Sequence, residues 1–399
     1  MSIAAPTETA ATGRLGELLA RAEQLYEDLD FKAVLDWKSK DKTRRAIGFL
    51  PVYVPREVIH AAGGLPVGIM GGGDQTEIVR GDSYFQSYIC HLPRSVIELL
   101  VNGRLDAMDG FLFPSICDVI RNLSGMFKLL KPEKYVHYLD LPQNFQRGLG
   151  GRFYGHEMRS VADAVGRMTG VAPTDESLRN SIKVYNANRR AINELLKLRV
   201  DKPWLVPATE YYLVLRAGYL LPVEEHTAML GEYVKLVQAS DRRPMDNIRV
   251  MVRGAFCEQP PLALLRTLER AGCYLVDDDL AVGLRLVPDP VSEEGDPWEA
   301  LAEAFMHHSL PTASVYDEQN QKGRLLIDKA REVRADGVLL MAPSFCDPAL
   351  LDQPMLQTAL EKAGIPFTSF KYSEDTGQFQ VIREQAGTFA DAIKLWGTV

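Results

Sequence analysis

Residues 111–118 read FLFPSICD, and residues 340–347 read LMAPSFCD. Each copy is an apolar run that ends in Pro-Ser-x-Cys-Asp, and a helical pattern follows it. A short apolar run bounded by turn residues and followed by a helix is typical of a buried strand in a parallel sheet. The repeat therefore predicts two α/β units, each with one cysteine, Cys117 or Cys346, just beyond the end of a strand.

Further apolar runs extend this alternation along the chain. In the first half we predict strands at 46–53, 65–70, 107–113 and 135–139, with a helix at 118–130. In the second half we predict strands at 247–253, 274–276, 337–341 and 366–370, with helices between them. Strands that alternate with helices form parallel, doubly wound sheets. The predicted fold class is therefore α/β, with two doubly wound, parallel-sheet domains and added helices.

A helical region separates the two predicted α/β domains. Apolar residues recur at helical spacing over 175–199, and the polar break Ser-Asp-Arg-Arg-Pro at 240–244 marks a boundary. We expect the Ala- and Thr-rich residues 1–13 to form a mobile tail. The predicted segments are 1–35 (tail and helix), 36–154 (first α/β domain), 155–240 (helical segment) and 241–399 (second α/β domain).

Composition and charge exclude several classes of function. The net charge of −8 and the pI near 5.5 argue against a nucleic-acid partner, because phosphate binding needs a cationic surface. The N-terminus has no basic start followed by an apolar run, and no stretch approaches the roughly 18 apolar residues of a membrane span. We therefore expect a cytoplasmic protein without a membrane partner. Disulfide bonds are a poor explanation for five cysteines in that reducing compartment.

The two repeated cysteines lie where a doubly wound fold binds its ligands. Such folds bind ligands beyond the carboxyl ends of the strands, so Cys117 and Cys346 are expected to face each other across a cleft between the domains. The helix starts that follow them favour thiolates and a reduced, anionic iron–sulfur cluster. Cys90, in the stretch YICH at 88–91, is the candidate third ligand. The spacing is not that of a ferredoxin, so buried free cysteines remain an alternative at this point.

The two remaining cysteines receive different interpretations. Cys257 lies in GAFCEQ at 254–259, after a predicted strand, and is an alternative third ligand in place of Cys90. Cys273 begins a predicted strand in AGCYL at 271–275, and its interpretation is core packing.

Candidate acid–base groups follow Pro222 in LPVEEH at 221–226. Glu225 and His226 are the predicted catalytic pair, although Pro followed by two acids is also an ordinary helix start. The triplet Asp277–Asp279 at a strand end leaves two interpretations open, a ligand contact and a solvated turn. No G-x-x-x-x-G-K-[ST] motif occurs, so any use of ATP is assigned to a partner subunit.

Seven longer stretches resemble one known family. The chain is similar to the 2-hydroxyacyl-CoA dehydratase and benzoyl-CoA reductase family over nearly its whole length, and most similar to the smaller cluster-bearing subunits of the ATP-dependent reductases. The matching stretches are MGGGD (70–74), QSYIC (86–90), FPSICDVIRNLSGM (113–126), PVEEH (222–226), FCEQPP (256–261), APSFCDPALL (342–351) and IREQAGTFAD (382–391).

The resemblance implies a cofactor, a set of partners and a reaction. It implies a 4Fe–4S cluster held by Cys90, Cys117 and Cys346, which leaves one iron without a cysteine ligand. It implies a related larger cluster-bearing subunit, two ATPase subunits that act as electron activators, and ferredoxin as electron donor. The implied reaction is the two-electron reduction of the aromatic ring of benzoyl-CoA, or of a related acyl-CoA, to a cyclic dienoyl-CoA in anaerobic aromatic degradation.

Two other functions remain open beside this one. A 2-hydroxyacyl-CoA dehydratase subunit would carry the same cysteines but would recycle its electron. A non-catalytic zinc-binding or scaffold protein would use the thiolates structurally. The basic residues Lys128, Lys131 and Lys134 also have two interpretations, a local patch for the phosphates of coenzyme A and a solvated surface.

Overall fold

The computed structural model describes residues 8–315, 321–373 and 379–397 and contains two four-stranded parallel sheets. The strands of the first sheet are β1 (Arg45–Phe49), β2 (Gly64–Gly68), β3 (Gly110–Pro114) and β4 (Tyr135–Leu139). Those of the second are β5 (Ile248–Arg253), β6 (Cys273–Asp277), β7 (Gly337–Pro343) and β8 (Phe367–Tyr372). The predicted α/β class with two parallel sheets is confirmed.

Fourteen helices surround and connect the sheets within the described ranges. The first seven are α1 (Glu8–Glu27), α2 (Lys32–Ser39), α3 (Arg56–Ala61), α4 (His91–Val101), α5 (Asp118–Leu130), α6 (Arg152–Thr169) and α7 (Asp175–Asp201). The others are α8 (Ala208–Arg216), α9 (Val223–Gln238), α10 (Leu262–Arg270), α11 (Pro297–His308), α12 (Lys322–Glu332), α13 (Asp347–Ala363) and α14 (Phe379–Trp396). None of them is both long enough and apolar enough to cross a membrane.

The two sheets share one topology. Their strand orders are β2-β1-β3-β4 and β6-β5-β7-β8. In each sheet, the second strand along the chain lies on one side of the first strand, and the third strand lies on its other side. The order therefore reverses between β1 and β3, and between β5 and β7. Such a switch point opens a crevice at the carboxyl ends of the strands, where doubly wound proteins bind ligands. Cys117 follows β3 and Cys346 follows β7, so each switch point carries one cysteine.

The repeated Pro-Ser-x-Cys-Asp sequence makes the same turn in both sheets. The N–H of Ser115 donates to the carbonyl oxygen of Leu139 at the end of β4, at 3.0 Å. The N–H of Ser344 donates to the carbonyl oxygen of Tyr372 at the end of β8, at 2.7 Å. Both bonds tie the turn to the neighbouring edge strand, so the two cysteines leave their sheets in equivalent positions.

Burial explains why the repeat is so apolar before its proline. Every residue of β3 and of β7 is buried, because helices cover both faces of a parallel sheet. The edge strand β4 is only half-buried over most of its length. The near-continuous apolar run in the sequence is therefore the pattern of a strand in the interior of its sheet.

The helical segment packs against both α/β parts. Helix α7 begins with a capping box, in which Thr174 and Ser177 bond each other's backbone N–H groups, and it packs against α3 and α9. One continuous apolar core runs through both sheets and these helices. Each sheet lies within one of the predicted α/β segments, and the segment boundaries at 36, 155 and 241 stay predictions.

The N-terminal prediction is partly wrong. Helix α1 begins at Glu8, inside the stretch that we expected to be a mobile tail, and residues 1–7 lie outside the described residues. The helix forms because Leu15, Leu18 and Ala22 give it an apolar stripe, which packs against α8 and α9. The packing of this stripe anchors the helix, and its first turns extend into the stretch expected to be a tail.

Candidate metal centre

Three cysteines stand at the start of three helices. Cys90 is the N-cap residue of α4, Cys117 that of α5 and Cys346 that of α13. A helix N-terminus carries free N–H groups and a partial positive charge, so it stabilises an anionic thiolate. The sequence predicted the helix starts after Cys117 and Cys346, whereas α4 and the capping position of Cys90 were not predicted.

The thiols of these cysteines lie within electrostatic reach of one another. Burial raises the pKa of the Cys90 thiol well above its usual value, and the negative charges of Glu258, Cys346, Cys257 and Cys117 raise it further. Burial also raises the pKa of Cys346 to about 12, with a contribution from Cys117. These mutual charge effects indicate that the cysteines of the two sheets lie near one another, and their role as metal ligands stays a prediction.

Backbone N–H groups oppose the effect of burial at two of the sulfurs. Burial raises the pKa of Cys117, while the N–H groups of Val119 and Ile120 lower it. The N–H of Ala349 lowers the pKa of Cys346 in the same way. None of these contacts is a full capping hydrogen bond. The N–H groups nevertheless point positive charge at the sulfurs, and such groups tune a bound cluster.

The described side chains form no compact site for a single metal ion. Throughout the part of the chain that the structure describes, no group of three Cys, His, Asp or Glu side chains is arranged to hold a metal ion. A zinc ion would require all its ligands at about 2.3 Å from one centre. Each thiolate of a four-iron cluster binds a different iron, so its ligands stand further apart than those of one ion. Cys90, Cys117 and Cys346 supply soft thiolate donors, which are the ligands that iron–sulfur clusters take.

The two remaining cysteines, Cys257 and Cys273, lie in different places: one near the candidate ligands and one in the core. Cys257 is 7% exposed and lies close enough to Cys90 for its charge to affect that thiol, so it stays an alternative third ligand. Cys273 is fully buried at the start of β6, the opposite end of the strand from the switch point. Burial raises the pKa of its thiol to about 12, so this side chain behaves as a neutral core residue.

The loop that carries Cys257 begins at a glycine whose backbone conformation other residues rarely adopt. Gly254 has φ 114°, and a Cβ atom there would lie 2.6 Å from the carbonyl oxygen of Met341. Asp279 accepts hydrogen bonds from the N–H groups of Gly254 at 2.7 Å and Ala255 at 3.1 Å. The third aspartate of the triplet therefore anchors the loop beside the cysteines.

The other two aspartates correct the prediction of a solvated turn. Asp277 and Asp278 are 4% and 2% exposed, and both are ion-paired. Asp277 pairs with Arg253, and Asp278 bonds Arg199 at 2.6 Å and Arg285 at 2.8 Å. Charge alone indicated a surface turn, but arginines distant in the sequence make burial of these carboxylates possible.

A buried carboxylate without a predicted role lies against the first turn of α4. Glu258 is 1% exposed, and its Oε2 accepts a hydrogen bond from the N–H of Leu92 at 3.0 Å. Leu92 is in the first turn of α4, directly after Cys90 and His91. The sequence contains no local signal for this contact, because 166 positions separate the two residues.

A carboxylate of α4 holds the loop that precedes Cys90. Glu98 of α4 accepts hydrogen bonds through Oε2 from the N–H groups of Val79, Arg80 and Gly81 at 2.6–3.0 Å. Burial acts to raise the pKa of Glu98, but these bonds lower it overall. The carboxylate thus fastens the polar loop to the helix that begins at Cys90. A cavity of about 330 Å³, lined by residues on both sides of the cleft, opens beside it.

Comparison with known sequences connects this site to a family. A family described as 2-hydroxyglutaryl-CoA dehydratase, D-component, matches residues 51–393, which include all five cysteines. The chain belongs to this family. The resemblance inferred from the sequence is thereby confirmed.

Curated relatives in this family are subunits of acyl-CoA enzymes. The chain is 52% identical over 381 residues to a subunit of the benzoyl-CoA reductase of Thauera aromatica, with 95% of this chain and 99% of the relative covered. It is 30% identical to the beta subunit of the lactoyl-CoA dehydratase of Anaerotignum propionicum, covering 91% and 95% of the two chains. It is also 30% identical to the beta subunit of the (R)-2-hydroxyglutaryl-CoA dehydratase of Acidaminococcus fermentans, covering 89% and 94%.

The candidate acid–base pair lies in the helical segment of this family member. His226 is 1% exposed; its Nδ1 accepts from Asn188 and its Nε2 donates to the carbonyl of Val214, both at 3.1 Å. Burial and then the charge of Arg56 lower its pKa to about 3. Both ring nitrogens are bonded and the ring is buried, which favours a structural role, and the catalytic role of His226 stays a prediction. Glu225 is half-exposed, pairs with Arg21 at 3.1 Å, and its catalytic role stays a prediction.

The neutral state of His226 makes stability depend on pH. The unfolded imidazole gains a proton below about pH 6.5, whereas the folded one stays neutral down to about pH 3. The unfolded state therefore binds more protons in this window, so the free energy of unfolding falls as the pH falls, by about 1.4 kcal/mol per pH unit. Relative to His226→Gln, the wild type should lose about 2 kcal/mol between pH 7 and pH 5 in urea titrations.

A matched control for this pH dependence is His308→Gln, which removes an exposed imidazole on α11. It should keep the pH profile of the wild type. Parallel profiles for the wild type and His226→Gln would contradict the assignment of a neutral, buried imidazole.

The three lysines of the candidate phosphate patch lie far from the cysteines. Lys128 is in the last turn of α5, whose first turn follows Cys117. Lys131 pairs with Asp106 at 2.7 Å, and Lys134 donates to the carbonyl of Met108 at 2.7 Å. Two of the three lysines are thus engaged in local contacts at the opposite end of the helix, which favours the surface interpretation.

Proposed function

We propose that this chain is the smaller cluster-bearing subunit of an ATP-dependent benzoyl-CoA reductase, which reduces the aromatic ring of benzoyl-CoA to a cyclic dienoyl-CoA. The observation that carries the proposal is the identity to a subunit of benzoyl-CoA reductase, which is far higher than the identity to the dehydratase subunits and extends over almost the whole of both chains. The grouped thiols at the two switch points support the same role.

We propose that Cys90, Cys117 and Cys346 hold a 4Fe–4S cluster. When bound, such a cluster supplies one-electron transfer at a low potential. All three cysteines stand at helix starts, and backbone N–H groups act on the sulfurs of Cys117 and Cys346, which favours the thiolate form that a metal requires. Cys346 is buried and the other two cysteines are half-buried, which limits the access of water and oxygen to a bound cluster.

The partner subunits follow from the chemistry of the ring. Adding an electron to an aromatic ring requires a reductant near the low end of the range for iron–sulfur clusters, roughly −700 mV. Ferredoxin lies well above that potential, so ATP hydrolysis has to drive the transfer. This chain has no P-loop motif, and we therefore assign ATP to two ATPase subunits, with ferredoxin as donor and a related larger subunit as the direct partner.

The runner-up function is a subunit of a 2-hydroxyacyl-CoA dehydratase, since the family as a whole is described by that activity. The two functions differ in whether an electron is consumed. The reconstituted complex should be assayed under anaerobic conditions with ATP and a reductant, with benzoyl-CoA in one series and a 2-hydroxyacyl-CoA in the other. We expect conversion of benzoyl-CoA to a dienoyl-CoA with ATP hydrolysis. Dehydration of the hydroxyacyl-CoA without ring reduction would refute the reductase assignment.

Metal analysis separates both enzymes from a scaffold protein. Anaerobically purified protein should contain iron and acid-labile sulfide in similar amounts, because a 4Fe–4S cluster contains both in equal number. Zinc without sulfide would instead support a structural site.

A further inference from the structure

The two copies of the Pro-Ser-x-Cys-Asp turn differ at the residue before the cysteine. In the first copy this residue is Ile116, which is 5% exposed and belongs to the apolar core. In the second copy it is Phe345, which is 53% exposed and has a left-handed backbone with φ 64°. The N–H of Cys346 donates to the carbonyl oxygen of Pro343 at 3.2 Å, so Phe345 is the third residue of a β-turn. A left-handed residue at this position of a turn is ordinarily glycine or asparagine.

The backbone of Phe345 is therefore strained. A bulky residue rarely adopts the left-handed region, because its β-carbon then lies too close to the following carbonyl oxygen. More than half of the Phe345 surface faces solvent, so packing within the chain uses only part of this large apolar side chain. Strained residues of this kind cluster at ligand sites, where the strain fixes the direction of a side chain. The reason for a phenylalanine here lies in what its exposed ring contacts.

Phe345 lies at a cavity between the two α/β parts. The cavity has a volume of about 330 Å³ and is lined by Phe345 from the second part and by Ile89 and His91 from the first. These residues are the direct sequence neighbours of Cys346 and Cys90, so covalent connectivity alone places the cavity beside two of the proposed ligands. Its volume is at the lower end of the range for small-molecule sites, about 300–1,000 Å³.

The lining of this cavity combines apolar and basic side chains. Ile89, Phe379 and Ile382 are apolar, and the last two belong to the first turns of α14. Arg94 and Lys371 are basic. Sites for small ligands typically have apolar walls and a few polar groups that fix the orientation of the ligand. An aromatic acyl thioester matches this lining, with its ring against the apolar side chains and its carbonyl oxygen near a cation.

We propose that Phe345 is a specificity-determining residue whose ring contacts the aromatic ring of the acyl-CoA substrate in this cavity. This inference rests on the proposed function, because it takes the substrate to be benzoyl-CoA or a related aromatic acyl-CoA. Two aromatic rings attract each other in offset or edge-to-face contact, in addition to the gain from apolar burial. The left-handed backbone keeps Phe345 at the cavity, whereas Ile116 at the equivalent position packs into the core.

The substitution Phe345→Ala removes the ring. The anaerobic complex should be titrated by calorimetry without ATP, so that binding is measured in the absence of turnover, with benzoyl-CoA in one series and acetyl-CoA in the other. We expect the dissociation constant of benzoyl-CoA to rise about tenfold, because the ring contact and its burial are both lost. The dissociation constant of acetyl-CoA, which has no ring, should stay unchanged. Iron and sulfide contents should equal those of the wild type.

Three further variants serve as controls. Phe345→Tyr keeps the ring and should bind benzoyl-CoA as the wild type does. Phe153→Ala removes a phenyl ring that is 41% exposed on α6, and it should leave both dissociation constants unchanged. Phe345→Gly lacks the ring but adopts a φ of 64° without strain. It should therefore bind benzoyl-CoA as weakly as Phe345→Ala, yet unfold at a higher urea concentration than that variant.

Four outcomes separate the inference from the proposed function. Equal affinities of Phe345→Ala and the wild type for benzoyl-CoA would overturn the inference alone. An equal loss of affinity for benzoyl-CoA and acetyl-CoA would also overturn it, since the substrate ring would then not be the contact. Loss of partner subunits from Phe345→Ala in size-exclusion chromatography, with unchanged affinity for benzoyl-CoA, would overturn it by assigning the ring to a subunit interface. Absence of benzoyl-CoA binding by the wild-type complex would overturn the proposed function itself.

Discussion

Cys117→Ser and Cys346→Ser should each abolish the iron–sulfur cluster. A serine hydroxyl is a much weaker acid than a thiol and does not supply the anionic, soft ligand that iron requires. Each cysteine is at the switch point of a different sheet, and removing either leaves only two thiolate ligands for the cluster. Anaerobic purification followed by iron and sulfide analysis should show near-complete loss of both, together with loss of ring reduction by the complex.

Cys273→Ser is the matched control for these substitutions. Its side chain is fully buried at the far end of β6, so a hydroxyl there costs about 1–3 kcal/mol of stability but removes no ligand. Its iron content should equal that of the wild type. Equal iron content in all three variants would contradict the assignment of Cys117 and Cys346.

The third ligand is decided by comparing Cys90→Ser with Cys257→Ser. The charge of Cys257 affects the thiol of Cys90, so both belong to the same group of cysteines, but of the two only Cys90 caps a helix. We therefore expect iron loss from Cys90→Ser and retention in Cys257→Ser, and the reverse result would transfer the ligand role to Cys257.

The second large effect is expected at Asp278. Its carboxylate bonds Arg199 at 2.6 Å and Arg285 at 2.8 Å, and the side chains of Asp278 and Arg199 have no exposed surface. The guanidinium of Arg199 also lies 3.9 Å from the ring centre of Tyr211, and its Nε and Nη2 have no hydrogen-bond partner. Removing the carboxylate leaves a buried cation without compensation. Asp278→Asn should lower the free energy of unfolding by about 3–5 kcal/mol in urea titrations.

Two comparisons make this prediction specific to the buried charge. Adding Arg199→Met to Asp278→Asn removes the uncompensated cation and should restore part of the lost stability. Glu232→Gln breaks the exposed pair with Arg14 and should cost no more than about 1 kcal/mol. A loss for Asp278→Asn as small as that for Glu232→Gln would show that the buried network contributes little.

Local patterns were sufficient for much of the fold. The helix at 118–130 and the strand at 135–139 were predicted with the bounds that the structure has. Both depend on short-range features, a cysteine–aspartate helix start in the first case and a five-residue apolar run in the second. Helix α4 was not predicted, although Leu92, Val96, Leu99 and Leu100 recur at helical spacing.

Long-range contacts explain where the structure departs from what local patterns suggested. Asp278 is buried because Arg199, 79 positions away, neutralises it, whereas its sequence neighbours suggested a turn in solvent. His226 has a conspicuous acidic neighbour in the sequence but bonds Asn188 and Val214 in the interior. Glu258 received no role, since its partner Leu92 belongs to the other sheet's part of the fold.

The repeated Pro-Ser-x-Cys-Asp sequence was enough to establish two parallel sheets with a cysteine after one strand of each, because strand, turn and helix start all depend on neighbouring residues. Which thiols and which carboxylate share one site depended on how the two sheets pack against each other. That packing arises from the apolar core that runs through both sheets and from contacts such as Glu258 to Leu92. No local pattern encodes such contacts, since their free energy depends on burial and on partners far away in the chain.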